Sequence, residues 1–321
     1  DACDRPMKKP APKRRAPAAS AVLAGSETCR TVGDWLGWAE ALYESQALAL
    51  GQIATTAHDE ALYLLLHTLG IPMDCDESVL RRRVSPVQAE AVREIFRRRA
   101  VDHTPAAYLT KEALLGDYRF YVDERVLIPR SYFLELIPEQ IDQWLPDPKK
   151  VTRVVDVCTG SACLAILLAH HYPQAEVDAI DLSPDALEVA KINVRDHALE
   201  KRLHLHRSDV FDSVPLAKYD VILSNPPYGP TAHVDAMPVE FHREPRLALD
   251  GGEDGLDIIR KLLVQARTRL KPHGIVVIEV GGLRDAMDAE FGALEPHWLH
   301  TLDGSDCVCL IKAKKLFETK I

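Results

Sequence analysis

The alternation of short apolar runs with amphipathic stretches from residue 151 to 312 predicts an α/β fold, a mostly parallel sheet with helices on both faces, preceded by a small helical domain. Three observations predict it. Val151 to Val157 is nearly continuous in apolar residues, as a strand covered on both faces must be. Ser183-Pro184 follows the next apolar run, Ala175 to Ile180, with the residue types of a helix N-cap and first helical position. Val221-Ile222-Leu223 and Ile275-Val276-Val277-Ile278 then repeat the buried-strand pattern with helical periodicity between them. In such a sheet, ligands lie beyond the carboxyl ends of the strands.

A chain of 321 residues is long enough for two domains. Residues 1–28 are rich in Pro, Ala, Lys and Arg and read as a disordered basic tail, with a ribosome-touching or targeting arm as its competing use. The tail lacks the apolar core of a signal peptide, and because the sequence opens on Asp1, Met7 is a candidate start. Arg5, Lys8, Lys9, Lys13, Arg14 and Arg15 face only Asp1 and Asp4 there, so the formal charge of -9 conceals a more acidic body. That body disfavours a grip on nucleic-acid phosphates and suits a basic protein partner.

Residues 29–102 read as a helical domain. Thr31 with Asp34 three residues later resembles a helix start, and Val32, Leu36, Ala39 and Tyr43 continue at helical spacing. Ala61, Leu65 and Leu69 form a second stripe, stopped by Gly70-Ile71-Pro72. Ser85-Pro86 opens a third, which ends on Arg97-Arg98-Arg99; these cations read as a solvated helix C-terminus, with RNA contact as the alternative. Residues 103–135 read as a linker with a hairpin pairing Ala107-Tyr108-Leu109 with Tyr118 to Val122 around Gly116-Asp117. Residues 136–321 hold the α/β domain, with strands at Val151 to Val157, Ala175 to Ile180, Leu203 to Leu205, Val221 to Leu223 and Ile275 to Ile278. Helices are expected at Ala162 to His170, from Pro184 to Asn193, at Leu256 to Leu270 and at Leu283 to Phe291.

Seven cysteines, an odd and scattered number, do not make a disulfide framework and fit a reducing cytoplasm. Cys307 and Cys309 are expected on one face of a strand, in the core. The histidines lack a zinc-like partner set, and no metal is expected. No apolar run reaches the ~18 residues of a membrane span.

The chemistry is carried by strand ends. The first strand leads through Asp156-Val157-Cys158-Thr159-Gly160-Ser161 into a helix, a turn where Gly160 permits close approach and the helix N-terminus offers free N–H groups. Ala162 stands where a dinucleotide loop needs its second glycine, which disfavours NAD. Asp181 follows Gly160 by about twenty residues, the spacing of a carboxylate for ribose hydroxyls. Asp209 is placed to accept from an adenine amine, with Val210 or Phe211 over the ring. Asn225-Pro226-Pro227-Tyr228 ends the fourth strand in a rigid polar pocket suited to a planar amide or amine.

These motifs resemble the class I S-adenosylmethionine methyltransferases, in the branch that methylates glutamine amides of proteins and nearest to its ribosomal-protein members. The likeness runs over nearly the whole chain from Thr31 and includes Phe120 to Ser131 and Arg243-Glu244-Pro245. It implies a Rossmann-like, seven-stranded, mostly parallel sheet with an N-terminal helical substrate-recognition domain and a hairpin linker. It implies S-adenosylmethionine as cofactor, held by Asp156, Cys158, Thr159, Gly160, Ser161, Asp181, Leu182, Asp209, Val210 and Asn225, with Phe120, Pro129 and Arg130 closing the site. It also implies catalysis by Asn225, Pro226, Pro227 and Tyr228: the Asn225 carboxamide oxygen and the Pro226 carbonyl accept the two amide hydrogens, and Tyr228 packs on the amide plane. The implied acceptor is large-subunit ribosomal protein three, free or in an assembly intermediate where ribosomal RNA is within reach. Release-factor glutamine methylation, adenine-amine methylation and a non-catalytic assembly factor are the alternatives. Ala162 and Lys111 replace residues commonly glycine in the family, and the loop 230–237 departs from its pattern.

Overall fold

The computed structural model describes residues 19–320, and residues 1–18 of the stretch assigned to the basic tail lie outside it. Helical turns at α1 (Ala19–Val22) and Ser26–Thr28 fall inside that stretch, so ordered chain begins before residue 29. The reason is a packing contact: the Trp38 indole N–H donates to the Ala24 carbonyl at 3.1 Å.

The chain divides into two compact units, one of residues 19–47 and Ala61–Asp102, the other of Leu48–Glu60 and residues 103–320. The strap Leu48–Glu60 thus belongs to the larger unit although its sequence lies among helices. The smaller unit is built from α2 (Val32–Gln46), α3 (Ala57–Leu69), whose first residues fall in the strap, and α4 (Pro86–Ala100). Both expected helix starts carry full capping boxes, Thr31 with Asp34 and Ser85 with Gln88. Trp35, Leu36, Leu65, Val92 and Phe96 are buried, with Phe96 edge-on to Tyr43. The arginine run is only partly solvated. Arg97 pairs with Glu94 and Asp102, whereas Arg99 is fully buried with its guanidinium 5.3 Å above the Tyr43 ring.

In the larger unit the linker departs from expectation. Ala107-Tyr108-Leu109 lies in a helix, α5 (Ala106–Thr110), and the hairpin pairs β1 (Glu112–Leu115) with β2 (Tyr118–Tyr121). Pro105 pre-sets the helix start, and Lys111 stops it in the left-handed conformation at φ 59°. A short helix α6 (Phe133–Leu136) leads to the sheet.

The sheet has seven strands: β3 (Arg153–Val157), β4 (Glu176–Asp181), β5 (Leu203–Arg207), β6 (Tyr219–Ser224), β7 (Leu270–Glu279), β8 (His297–Leu299) and β9 (Val308–Lys312). They run in the order β5-β4-β3-β6-β7-β9-β8, parallel except for β9, which is antiparallel to both β7 and β8. Leu270, expected to be helical, opens β7 and pairs with Tyr219 across an irregular register. Helices α7 (Cys163–His171) and α8 (Pro184–Asp196) share one buried cluster with Val154, Val221 and Val277; α10 (Asp257–Ala266), α11 (Arg284–Phe291) and α12 (Ala313–Glu318) share the other with Val155, Ile222 and Val276. The short α9 (Thr231–Asp235) follows the loop after β6. Alternate residues of each strand therefore feed opposite cores, which requires the near-continuous apolar runs in the sequence.

Cys307 and Cys309 are both buried, but in opposite cores, contrary to the one-face expectation. Cys307 precedes β9, following Asp306 at φ 45°, so the strict alternation begins only at Val308. The six described cysteines are unpaired in disulfides. Among the described residues, no helix is long and apolar enough to cross a membrane, and no group of three or more His, Cys, Asp or Glu is placed to hold a metal ion.

Candidate active site

Four adjacent strands deliver polar residues to the carboxyl edge of the sheet: Cys158 after β3, Asp181 at the end of β4, Asn225 after β6 and Glu279 at the end of β7. Two cavities open there. The first is walled by Cys158, Gly160, Asp181, Leu182, Asp209 and Val210, together with Pro227 and Asn225. The second is walled by Arg130, Ser131, Asn225, Pro226, Tyr228 and Glu279, with Gly51 from the strap. Leu127, Asn225 and Ala248 belong to both, so the Asn225 carboxamide stands where the two meet.

The turn after β3 is fixed by carboxylates. Asp181 accepts from the backbone N–H of Gly160 and of Ser183, both at 2.8 Å. Burial raises its pKa against those two bonds. Gly160 is at φ 54°, and a Cβ built on it meets nothing within 4 Å, so this residue presents bare backbone to the cavity. Asp209 lines the cavity while paired with Lys261 at 2.7 Å.

Other expected cofactor residues stand behind the wall. Asp156 is fully buried, accepts from the Thr159 hydroxyl at 2.5 Å and the Ala165 N–H at 3.1 Å, and does not line the cavity. Desolvation pushes its pKa up to about 7. Thr159 and Ser161 are likewise buried; the Ser161 carbonyl accepts from the Asn193 amide at 2.9 Å. Phe120 is buried against His197, 5.2 Å between ring centroids, and neither it nor Pro129 reaches either cavity. None of these five residues lines either cavity.

Pro226, on the second cavity, and Pro227, on the first, are buried, and Asn225 and Tyr228 are half-buried. A Cβ built on Gly281, at φ 52°, falls 2.5 Å from Cε2 of Tyr228, so the ring lies directly on bare backbone. The Tyr228 hydroxyl donates to Glu279 at 3.5 Å, and Ser131 donates to the other Glu279 oxygen at 2.6 Å. Glu244 is buried and gathers three donors: Gln52 at 2.5 Å, the Ile128 N–H at 3.1 Å and Arg130 at 3.0 Å.

The family model for the methyltransferase small domain matches residues 140–243. The ribosomal protein uL3 glutamine methyltransferase of Neisseria gonorrhoeae is 43% identical over 286 residues, 89% of this chain and 95% of that protein. Proteins of the same description from Burkholderia pseudomallei and Bradyrhizobium diazoefficiens are 44% and 38% identical, covering 89% and 97% of this chain and 96% and 99% of their own lengths. This chain belongs to the ribosomal protein uL3 glutamine methyltransferase family.

A methyltransferase of this family implies a methyl donor of the S-adenosylmethionine type, and the first cavity fits one. Its donor set is a carboxylate at a strand end, bare backbone at Gly160 and apolar cover from Leu182, Val210 and Ile258, the chemistry of a nucleoside cradle. In this member of the family Ala162 and Lys111 both adopt the left-handed conformation, at φ 64° and 59°. That conformation is the one glycine adopts without strain, in line with the glycine that the resemblance implies at each position.

Sequence reasoning missed Glu279 and Gln52. Glu279 carried a signal, a carboxylate closing the apolar run Ile275 to Ile278 just as Asp181 closes its own strand. Gln52, in an irregular strap, carried none.

Proposed function

We propose that this protein transfers a methyl group from S-adenosylmethionine to the side-chain amide nitrogen of a glutamine in ribosomal protein uL3. The observation that carries the reading is the position of Asn225 in the walls of both cavities. A group held there by its carboxamide faces the donor on one side and the protein acceptor on the other. Gly160, Asp181, Leu182, Asp209 and Val210 would hold the nucleoside, and the donor supplies an electrophilic methyl on a sulfonium sulfur.

An amide nitrogen is a poor nucleophile because its lone pair is delocalised, so orientation must replace basicity. The Asn225 carboxamide oxygen and the Pro226 carbonyl accept the two amide hydrogens and turn the nitrogen lone pair toward the methyl. Pro226 and Pro227 fix that carbonyl, because their ring-locked φ removes backbone freedom. Tyr228, held on Gly281, covers the amide plane. The helical unit serves in this reading to recognise the ribosomal protein. The test is transfer of labelled methyl from S-adenosylmethionine to uL3 purified from cells lacking the enzyme. Label on uL3 supports the reading; label on a release factor or on RNA, with none on uL3, overturns it.

A further inference from the structure

Methyl transfer to an amide releases a proton, and nothing above receives it. The acceptor-side cavity offers a receiver. Ser224 and Ile278 are the last registered pair between β6 and β7, so Asn225 and Glu279 are the next step along two parallel strands. Neighbouring strands lie about 4.8 Å apart, which brings the two side chains to one lip of the sheet. Both line the second cavity. Among the described residues that line it, Glu279 is the one carboxylate, and the other titratable side chains are Arg130, Tyr132 and Tyr228.

Glu279 lines the cavity with its two oxygens unequally engaged. Oε2 is engaged by Ser131 at 2.6 Å and Oε1 receives the long 3.5 Å contact from Tyr228, while the Tyr132 backbone N–H also donates to the carboxylate. The Tyr132 hydroxyl is turned to Asp303 at 2.7 Å. The charged and titratable groups facing Glu279 are Tyr228 from the loop after β6, Arg130 from the linker and Cys307 from the segment before β9. Desolvation outweighs Ser131, the Tyr132 backbone N–H, Tyr228 and Arg130 and sets the Glu279 pKa at about 6, so near neutrality the group is ionised yet basic enough to hold a proton.

Resting on the glutamine-methylation reading, we propose that the Glu279 carboxylate contacts the acceptor amide and takes the proton it gives up. The amide nitrogen uses its lone pair to form the new N–C bond as the C–S bond breaks, and that bonding pair stays on sulfur as a thioether. One N–H proton passes to Glu279, the nitrogen recovers its lone pair, and the carboxyl group returns the proton to water when the product leaves. Because the ionised form is the active one, the rate rises with pH through about 6 and levels above it.

The experiment measures kcat against pH for the full chain and for Glu279→Gln with labelled S-adenosylmethionine and uL3, alongside calorimetric binding of S-adenosylmethionine and infrared titration of both proteins. The inference expects an acidic limb near pH 6 in the wild type, matched by an infrared carboxyl band that the variant lacks. It also expects a fall in kcat of about 10²-fold in Glu279→Gln, with the limb gone and the calorimetric affinity kept within about twofold. A wild type that methylates uL3 without an acidic limb, or a variant that keeps the rate or the limb, overturns the proton role alone. A wild type that leaves uL3 unlabelled overturns the glutamine-methylation reading and this inference with it.

Discussion

Arg130 and Glu244 form an ion pair at 3.0 Å in which the Glu244 side chain is fully buried and that of Arg130 is 30% exposed. The same carboxylate oxygen accepts from the Ile128 N–H, and its partner oxygen accepts from Gln52. One buried charge therefore ties the strap, the linker and the loop that follows the Asn225-Pro226-Pro227-Tyr228 segment. Glu244→Ala leaves Arg130 without its counter-ion and two buried donors unsatisfied, and is expected to destabilise the protein by about 2–4 kcal/mol. Urea denaturation measures it; a loss under about 0.5 kcal/mol would mean that the brace is incidental.

Lys111 is exposed and sits at φ 59°, where a side chain costs about 1–2 kcal/mol relative to glycine. Its ion pair with the exposed Glu124, at 3.3 Å, is worth far less. Lys111→Gly should therefore raise stability by about 1 kcal/mol in a thermal melt. Ala162→Gly should be close to neutral, because relief at φ 64° is offset by the loss of a buried methyl worth about 0.8 kcal/mol. A gain at Ala162 as large as at Lys111 contradicts this account.

Gly160→Val places a branched side chain in the space its backbone now leaves open, at φ 54°. Calorimetry should show S-adenosylmethionine affinity reduced by more than about tenfold, with the secondary structure retained in circular dichroism. Undiminished affinity would move the donor out of this cavity.

Asp156 is buried with its folded pKa raised from 3.8 to about 7. A carboxyl group so raised contributes stability that is fully present below 3.8 and is lost as pH climbs through about 7, since the folded chain then carries an ionised group in a dry site. The urea midpoint of the wild type should fall across that window, and Asp156→Asn should flatten the fall. Parallel curves for the two proteins would remove Asp156 as the cause.

The strands of the sheet that are buried on both faces were legible in the sequence because burial of that kind leaves few polar positions, as at Val154 to Val157, where Asp156 alone interrupts the apolar run. The helix starts at Thr31 and Ser85 were legible because a cap is local chemistry. The first hairpin strand was not: Ala107-Tyr108-Leu109 alternates like a strand, yet Pro105 and a left-handed Lys111 bound a helix, and φ at Lys111 is invisible in residue type. At the site, Gly160, Asp181, Asp209 and Asn225 were read from strand ends, and the structure brings them to the cavity walls. Asp156 and Phe120 were read as neighbours of a ligand, but Asp156 bonds to Thr159 and Ala165 and Phe120 packs on His197, a distinction that depends on which way a buried side chain points. Gln52 reaches Glu244 across 192 positions of sequence, a relationship that no local pattern encodes.

The measurement that bears most directly on the central claim pairs Asn225→Ala with the wild type, scoring labelled methyl on uL3 and calorimetric binding of S-adenosylmethionine in both. The account predicts that the wild type labels a glutamine of uL3, and that Asn225→Ala binds the donor with affinity within a few-fold while losing at least about 10²-fold in turnover. Full turnover by Asn225→Ala, or wild-type label that avoids uL3, would contradict it.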